Sequence, residues 1–279
     1  MDLVVFSLLL VSAFCHASWN TLTKVSADPW GRLAIGIAFS CLLGCFLLFF
    51  VPFPNKATWP YLLASAVTHQ IYFTLVCLGY RLGDLSQVYC IQRGIAPLIV
   101  AIGGLIFANE PVSLLGCLGL FLISNSILSL ALTNKFKFDN PNAIICALLT
   151  GVMIAAYTVI DGFGARASDN VFSYIVWLNV IDAAPFALII FYIRRKRLYQ
   201  FLQQELRAGI SMGFLGAAAY GTAIWALTHA PMAYVSALRE TSVIIAAWLG
   251  CKLLKEPFGK KRIFAAVFIA SGVLILQLS

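Results

Sequence analysis

Long apolar runs, each close to the length of a membrane-spanning helix, fill most of this 279-residue sequence. A bilayer core about 30 Å thick takes about 20 apolar residues of α-helix. Short charged, proline or glycine breaks separate the runs. The strands of a membrane β-barrel would instead alternate polar and apolar residues. The pattern therefore predicts an all-α polytopic membrane protein with ten transmembrane helices, at residues 3–24, 31–51, 59–80, 86–107, 112–132, 142–162, 171–193, 208–228, 232–253 and 263–278.

Composition supports this fold class. Apolar residues make up 61% of the chain and charged residues 11%, whereas soluble domains average about 45–50% and about 25%. The longest connection, from Arg194 to Arg207, predicts a short surface helix. Since the connections are all short, none can house a soluble catalytic domain.

An internal repeat organises the ten helices. Arg93 precedes Pro111 of Asn109-Glu110-Pro111 by eighteen residues, and Arg239 precedes Pro257 of Lys255-Glu256-Pro257 by the same distance. An offset of 146 residues therefore superimposes both features of the first half on the second. We expect two five-helix repeats, at residues 1–137 and 138–279.

Five helices per repeat is an odd number, so the second repeat must enter the membrane inverted. Fifteen of the nineteen lysines and arginines lie in the connections or the adjoining helix ends at one side, and only Lys56 and Arg166 lie at the other. Because basic residues stay in the cytoplasm, this distribution predicts that both termini face away from it. The net charge of +8 is interpreted as contact with anionic lipid headgroups and not as nucleic-acid binding.

Ionisable residues inside the predicted helices are candidates for function, because burial in a bilayer costs from about 2.5 to more than 10 kcal/mol per charge. Arg93 and Arg239 occupy matching positions in the two halves. Either could bind a carboxylate or phosphate through two hydrogen bonds, or form a structural ion pair. Glu240 follows Arg239, but adjacent helical residues point about 100° apart, so one faces a cavity and the other a neighbouring helix.

The remaining candidates are polar or aromatic residues within apolar spans. His16 and Asn20 share one face of the first helix, with Trp19 beside them. The predicted substrate-binding residues are His16, Trp19, Asn20, His69, Tyr72, Arg93, Tyr157, Tyr220, Arg239 and Glu240. The predicted proton-coupling residues are Asp182, Glu240 and His16, although Asp182 could equally be a hydrogen-bonded structural acid.

Several of these features resemble one known family. Trp19-Asn20, Lys24 and the segment from Ala237 to Pro257 are similar to the EamA family of the drug/metabolite transporter superfamily. The resemblance extends over nearly the whole chain and implies an export or exchange carrier with a cavity between its halves. Family members carry amino acids, nucleotide sugars, sugar phosphates and other metabolites. The two repeats differ after the arginine: Arg93 is followed by Gly94 to Pro97, whereas Arg239 is followed by Glu240 to Val243.

The sequence therefore predicts a secondary transporter in a bacterial inner membrane that works by alternating access. Its partners are a small-molecule substrate such as an amino acid, the lipid bilayer and protons; homodimerisation is left open. No nucleophile triad, metal-ligand cluster or phosphate loop occurs, so neither an enzyme nor a cofactor is predicted. The alternatives are a carrier of anionic phosphate or phosphonate metabolites and a non-transporting accessory or sensor protein.

Overall fold

A computed structural model describes residues 2–24, 26, 29–83, 85–131, 140–193, 195–254 and 260–279. Within these ranges the chain is α-helical with short 3₁₀ turns and contains no strand, which confirms the all-α prediction. Eight helices of this described part are long and apolar enough to cross a membrane. The helices are α1 (Leu3–Lys24), α2 (Pro29–Leu47), α3 (Trp59–Leu82), α4 (Leu85–Ala108), α5 (Leu114–Ala131), α6 (Pro141–Ala167), α7 (Val171–Ile193), α8 (Leu198–Leu227), α9 (Met232–Arg239), α10 (Thr241–Leu254) and α11 (Lys260–Leu278).

The ninth predicted helix is divided at Glu240 into α9 and α10. The amide of Glu240 donates to the carbonyl of Ala237, and the hydroxyl of Thr241 donates to the carbonyl of Leu238. These bonds close a tight turn in place of the regular α-helical pattern. The prediction of one continuous helix was therefore wrong at this point, because hydropathy does not register a local change in hydrogen bonding.

Two other helices are longer than predicted. The residues from Leu198 onward belong to α8 itself and not to a separate surface helix, and a 3₁₀ turn at Arg195–Arg197 precedes them. Helix α6 continues to Ala167, so Asp161 lies well inside it. The predicted repeat boundary at 137/138 and the motif Lys255-Glu256-Pro257 lie outside the described residues.

The helix contacts described here join helices of one half of the chain to helices of the other half. Helix α3 packs on α6 and α1 packs on α8; α2 packs on α8 and α3 on α7; α4 packs on α6 and α1 on α10. The contacts α2–α7 and α5–α11 each join one helix to its counterpart. In the sequence repeat, α1 corresponds to α6, α2 to α7, α3 to α8, α4 to α9 and α10, and α5 to α11. When each helix is replaced by its counterpart, every contact named here becomes another of these contacts or remains the same contact.

Glycines permit the closest helix contacts. A Cβ atom added to Gly213 of α8 would lie 2.2 Å from the carbonyl oxygen of Gly36 in α2. Similarly, a Cβ on Gly272 of α11 would lie 2.8 Å from the carbonyl oxygen of Gly119 in α5. Small residues let membrane helices approach until their backbones touch, so these positions set the spacing of two helix pairs between the halves.

Ion pairs join elements at both ends of the bundle. At the end where α2 and α8 begin, here called the basic end, Arg32 pairs with Glu205 at 2.5 Å. At the opposite end, here called the terminal end, Arg166 pairs with Glu110 at 2.5 Å. The other carboxylate oxygen of Glu110 accepts a hydrogen bond of 2.8 Å from the amide of Met232, where α9 begins. Glu110, from the repeated Glu-Pro motif, thus connects the α4–α5 loop to the second half.

Candidate functional site

A cavity of about 130 Å³ lies inside the bundle. It is lined by helices of both halves, near the middle of α3 and α7. Its walls combine aromatic rings with a small number of ionisable groups, as is usual for small-molecule sites. The lining residues are His16, Trp19, Leu33, Gly36, Ile37, Ser40, His69, Tyr72, Phe73, Tyr157, Asn179, Asp182, Ala183, Met212, Gly213, Gly216, Ala217, Tyr220 and Arg239.

Apolar clusters stand on either side of this cavity. Toward the basic end, the ring of Trp30 stacks on Phe186 at a centroid distance of 6.4 Å, and Phe73 contacts Phe186 at 5.1 Å. Toward the terminal end, Trp59 and Trp177 meet edge to face at 5.7 Å. The polar groups of the cavity therefore lie between two layers of apolar side chains.

Four aromatic side chains form one wall of the cavity. The imidazole of His69 stacks on Tyr157 at a centroid distance of 4.3 Å and meets Tyr220 edge to face at 5.2 Å. Tyr72 contacts Tyr157 edge to face at 5.5 Å. These residues come from α3, α6 and α8, and all four were predicted as substrate-binding candidates. The structure brings them together in one surface.

Arg239 is the predicted arginine that reaches the cavity. It is 5% exposed, and its Nε has no hydrogen-bond partner among the described residues. Its guanidinium carbon lies 5.5 Å from the centre of the Tyr220 ring, within range of a cation–π contact. A buried guanidinium with an unused donor can bind a carboxylate or a phosphate group strongly.

Arg93 and Glu240 are placed differently from Arg239. Nε of Arg93 lies 2.9 Å from a carboxylate oxygen of Glu240, and both side chains are buried outside the cavity lining. The same guanidinium is 3.4 Å from the carbonyl oxygen of Arg239 and 3.4 Å from the hydroxyl of Ser242. Arg93 of α4 therefore holds the turn between α9 and α10, which is the turn that carries Arg239. Arg93 thus forms an ion pair within the protein, which is the structural alternative to substrate binding, and Glu240 is its partner.

Asp182 lines the cavity from α7. Its Oδ2 atom lies 3.8 Å from Nδ1 of His69. Nδ1 also lies 2.9 Å from the carbonyl oxygen and 3.2 Å from the hydroxyl of Ser65. The side-chain amide of Gln70 donates to the carbonyl oxygen of Asp182 at 2.7 Å. Helices α3 and α7 are thus held together at the level of the Asp182 carboxylate.

Helix α1 contributes two of its three predicted residues to the cavity. The indole of Trp19 donates to Nδ1 of His16 at 3.2 Å, and both residues are lining residues. The side-chain amide of Asn20 instead donates to the carbonyl oxygen of His16 at 2.9 Å, and Asn20 is not part of the lining. Nδ1 of His16 accepts the hydrogen bond from Trp19, so a neutral His16 carries its proton on Nε2.

Asp161 is a buried acid that was not among the predicted binding residues. In the structure it accepts a hydrogen bond of 2.8 Å from the hydroxyl of Tyr174 and another from the hydroxyl of Tyr220. It therefore orients Tyr220, which lies beneath the guanidinium of Arg239. The predicted end of this helix at residue 162 hid this role, because a carboxylate near a helix end and beside two glycines resembles a helix-capping residue. The helix in fact ends at Ala167.

Ser40, Phe73 and Asn179 also line the cavity but were not among the predicted binding residues. Asn179 shares a face of α7 with Asp182, and its amide donates to the hydroxyl of Ser40 at 2.7 Å. The three-residue spacing was a detectable signal for Asn179. Ser40 and Phe73 have no such signal, since both are ordinary residues in apolar helices.

Comparison with known proteins bears on the fold and the family. Residues 141–278 match the EamA-like transporter family, in agreement with the resemblance noted in the sequence. A crystal structure of a protein matches with a TM-score of 0.73 at 15% identity, over 99% of this chain and 96% of the other, which supports the fold alone. No curated protein matches the sequence.

Proposed function

From the premise that this chain, through residues 141–278, belongs to the EamA-like transporter family, we propose that it is a secondary carrier of small metabolites. The proposed substrates carry both an ammonium and a carboxylate group, as amino acids do. The carrier exports or exchanges them across a bacterial inner membrane.

The composition of the cavity is the observation that carries this proposal. Arg239 presents a guanidinium with an unused donor, and Asp182 presents a carboxylate that has no arginine or lysine bound to it among the described residues. A zwitterion supplies one partner of opposite charge to each. The aromatic wall of His69, Tyr72, Tyr157 and Tyr220 provides the apolar surface for the rest of a small molecule.

The proposed mechanism is alternating access between two inverted five-helix repeats. Two observations support it. The helix contacts are paired when the halves are exchanged, and residues of both halves line the cavity. Rocking of one half against the other would expose the cavity to each side of the membrane in turn.

Solute exchange in proteoliposomes tests the proposal. We expect vesicles with purified protein to exchange at least one of labelled L-alanine, L-leucine and L-phenylalanine against the same unlabelled amino acid. Arg239→Gln should reduce this exchange about 10- to 100-fold, because a hydrogen bond to a charged group contributes about 1.5–3 kcal/mol. Arg195→Gln, at an exposed position, is the matched control and should exchange at the wild-type rate.

The unused donor of Arg239 also favours a second candidate substrate class, anionic phosphate or phosphonate compounds. Labelled phosphoenolpyruvate and glycerol 3-phosphate in the same vesicles distinguish the two classes. Exchange of these compounds without exchange of the amino acids would replace the first proposal by the second. If no solute in the panel moves, the accessory or sensor alternative is favoured.

A further inference from the structure

The carboxylate groups near the cavity differ in what balances their charge. Glu240 has Arg93 at 2.9 Å. Asp161 accepts hydrogen bonds from the hydroxyls of Tyr174 and Tyr220. Among the described residues, the ion-pair partner of Asp182 is the imidazole of His69, at 3.8 Å, which is charged only when it binds a proton. A buried carboxylate without a counter-charge is expensive in a low-dielectric interior. Of these three acids, Asp182 is the one in the cavity lining, so its charge is the one that a bound cation can balance.

The other groups around Asp182 do not supply that cation. On α1, His16 accepts a hydrogen bond from Trp19 through Nδ1. On α4, Arg93 is bound to Glu240. On α9, Arg239 lies over the ring of Tyr220. No ion pair joins Asp182 to any of these three residues in the part of the chain that the structure describes.

Uncharged titratable groups complete the surroundings. Tyr72 of α3, Tyr157 of α6 and Tyr220 of α8 line the same cavity. Cys41 of α2 faces α7, with its sulfur 3.9 Å from the carbonyl oxygen of Val180. Phenols and thiols are neutral at physiological pH in their ordinary state, so they cannot balance a carboxylate. A proton and the cationic group of a substrate are two sources of positive charge that can balance it.

We propose that the His69–Asp182 pair holds one exchangeable proton, which the ammonium group of a substrate displaces from the cavity. The proton resides on the imidazole of His69 or on the carboxyl group of Asp182, which lie 3.8 Å apart. When an ammonium group binds Asp182, it takes the position of the counter-charge and repels an imidazolium. One proton then leaves the pair for each ammonium group that enters, and no covalent bond to the substrate forms or breaks.

This exchange gives the carrier its coupling. A proton and an ammonium group cannot occupy Asp182 together. Each time the cavity changes the side of the membrane to which it opens, it therefore carries one or the other. A proton moving inward then drives an ammonium-bearing solute outward. The assignment of the proton site stands on the cavity geometry alone, whereas the coupling rests on the proposed function. The two are therefore tested separately.

The proton site is tested without any substrate. The chain has three histidines, so protein labelled with ¹⁵N-histidine gives a small set of imidazole signals, and the set lost in His69→Gln belongs to His69. We expect the His69 signals to change with pH, and Asp182→Asn to abolish or shift that change, because it removes the neighbouring carboxylate charge. Asp169→Asn, at an exposed position, is the control and should leave it unchanged.

Two results would overturn the proton site. One is a His69 signal that does not change with pH, and the other is a titration that Asp182→Asn leaves in place. Should Asp182→Asn fail to fold, Asp182→Glu keeps the charge but displaces the carboxylate by one methylene group. It should then alter the titration, and an unaltered titration counts against the proposal equally.

The coupling is tested with the same labelled amino acids in proteoliposomes. Competition with a single proton predicts that KM for exchange rises about tenfold per pH unit on the acid side of the titration, while the maximal rate stays constant. A fall in maximal rate with unchanged KM contradicts competition at Asp182. If none of the three amino acids exchanges, the proposed function fails, and the histidine titration still decides the proton site.

Discussion

Individual charged residues have separate tasks in this protein, although their sequence contexts are alike. Arg93 and Arg239 hold matching positions in the repeats, but Arg93 binds Glu240 while Arg239 faces the cavity. The difference follows from what succeeds each arginine. Arg239 is followed by an acid that Arg93 can reach, whereas Arg93 is followed by Gly94. Repetition in sequence therefore indicated where the arginines lie but not what each one binds.

At the residue scale we predict that the Arg93–Glu240 pair stabilises the fold. Removing one partner leaves an uncompensated buried charge, at a cost of about 3–5 kcal/mol. Arg93→Gln and Glu240→Gln should each lower the apparent Tm of the purified protein clearly, and the double variant should lower it less than the sum of the two. Arg195→Gln is the control and should leave the apparent Tm unchanged. Additive effects of the two single changes would contradict direct pairing.

At the scale of elements, backbone proximity determines which glycines are required. Gly213 and Gly216 lie one turn apart in α8 and are indistinguishable by residue type. A Cβ on Gly213 would collide with the carbonyl oxygen of Gly36 at 2.2 Å, whereas a Cβ on Gly216 meets no atom within 4 Å. The contact with α2 thus constrains the first glycine and leaves the second free to face the cavity.

We therefore predict opposite outcomes for two matched substitutions. Gly213→Ala should push α8 away from α2 and destabilise the protein by about 1–3 kcal/mol, as overpacking does. Gly216→Ala should be neutral or slightly stabilising, because alanine is the better helix former by about 0.8–1 kcal/mol. Thermal unfolding in detergent compares the two directly. A loss of stability in Gly216→Ala equal to that in Gly213→Ala would show that the contact with α2 is not the cause.

At the scale of the whole molecule, the alternation of helices places both termini at the terminal end and Arg195 at the basic end. The hydroxyl of Ser279 lies 3.0 Å from the hydroxyl of Tyr234, near the start of α9, in agreement with this arrangement. The basic connections are the ones expected in the cytoplasm. The orientation in the membrane is therefore a prediction from the distribution of charge.

Reporter fusions measure that orientation. We expect alkaline phosphatase fused after Ser279 to be active, because this enzyme folds only outside the cytoplasm, and the same reporter fused after Lys196 to be inactive. A fluorescent protein that matures only in the cytoplasm should give the reverse pattern. If the C-terminal fusion fluoresces instead, the charge-based orientation is wrong, while the helix packing is unaffected.

The sequence alone determined the class of the protein. Hydropathy located the helices because the bilayer imposes a length and a composition on each of them. The repeat and the similarity of the segment around Arg239 pointed to the EamA family, and residues 141–278 match the model of that family. Aromatic and ionisable residues inside apolar spans were also visible, because polar groups are rare there.

Tertiary structure decided how those residues are used. Only packing between helices brings His69 to Asp182, Arg93 to Glu240 and Tyr220 to Asp161. Each of these contacts joins residues from different helices, and helical periodicity specifies the faces of one helix but not its neighbours. The break at Glu240 is decided in the same way, since Arg93 from α4 binds the turn there. The ionisable groups are thus predictable as a set, whereas their pairing depends on the three-dimensional packing of the helices.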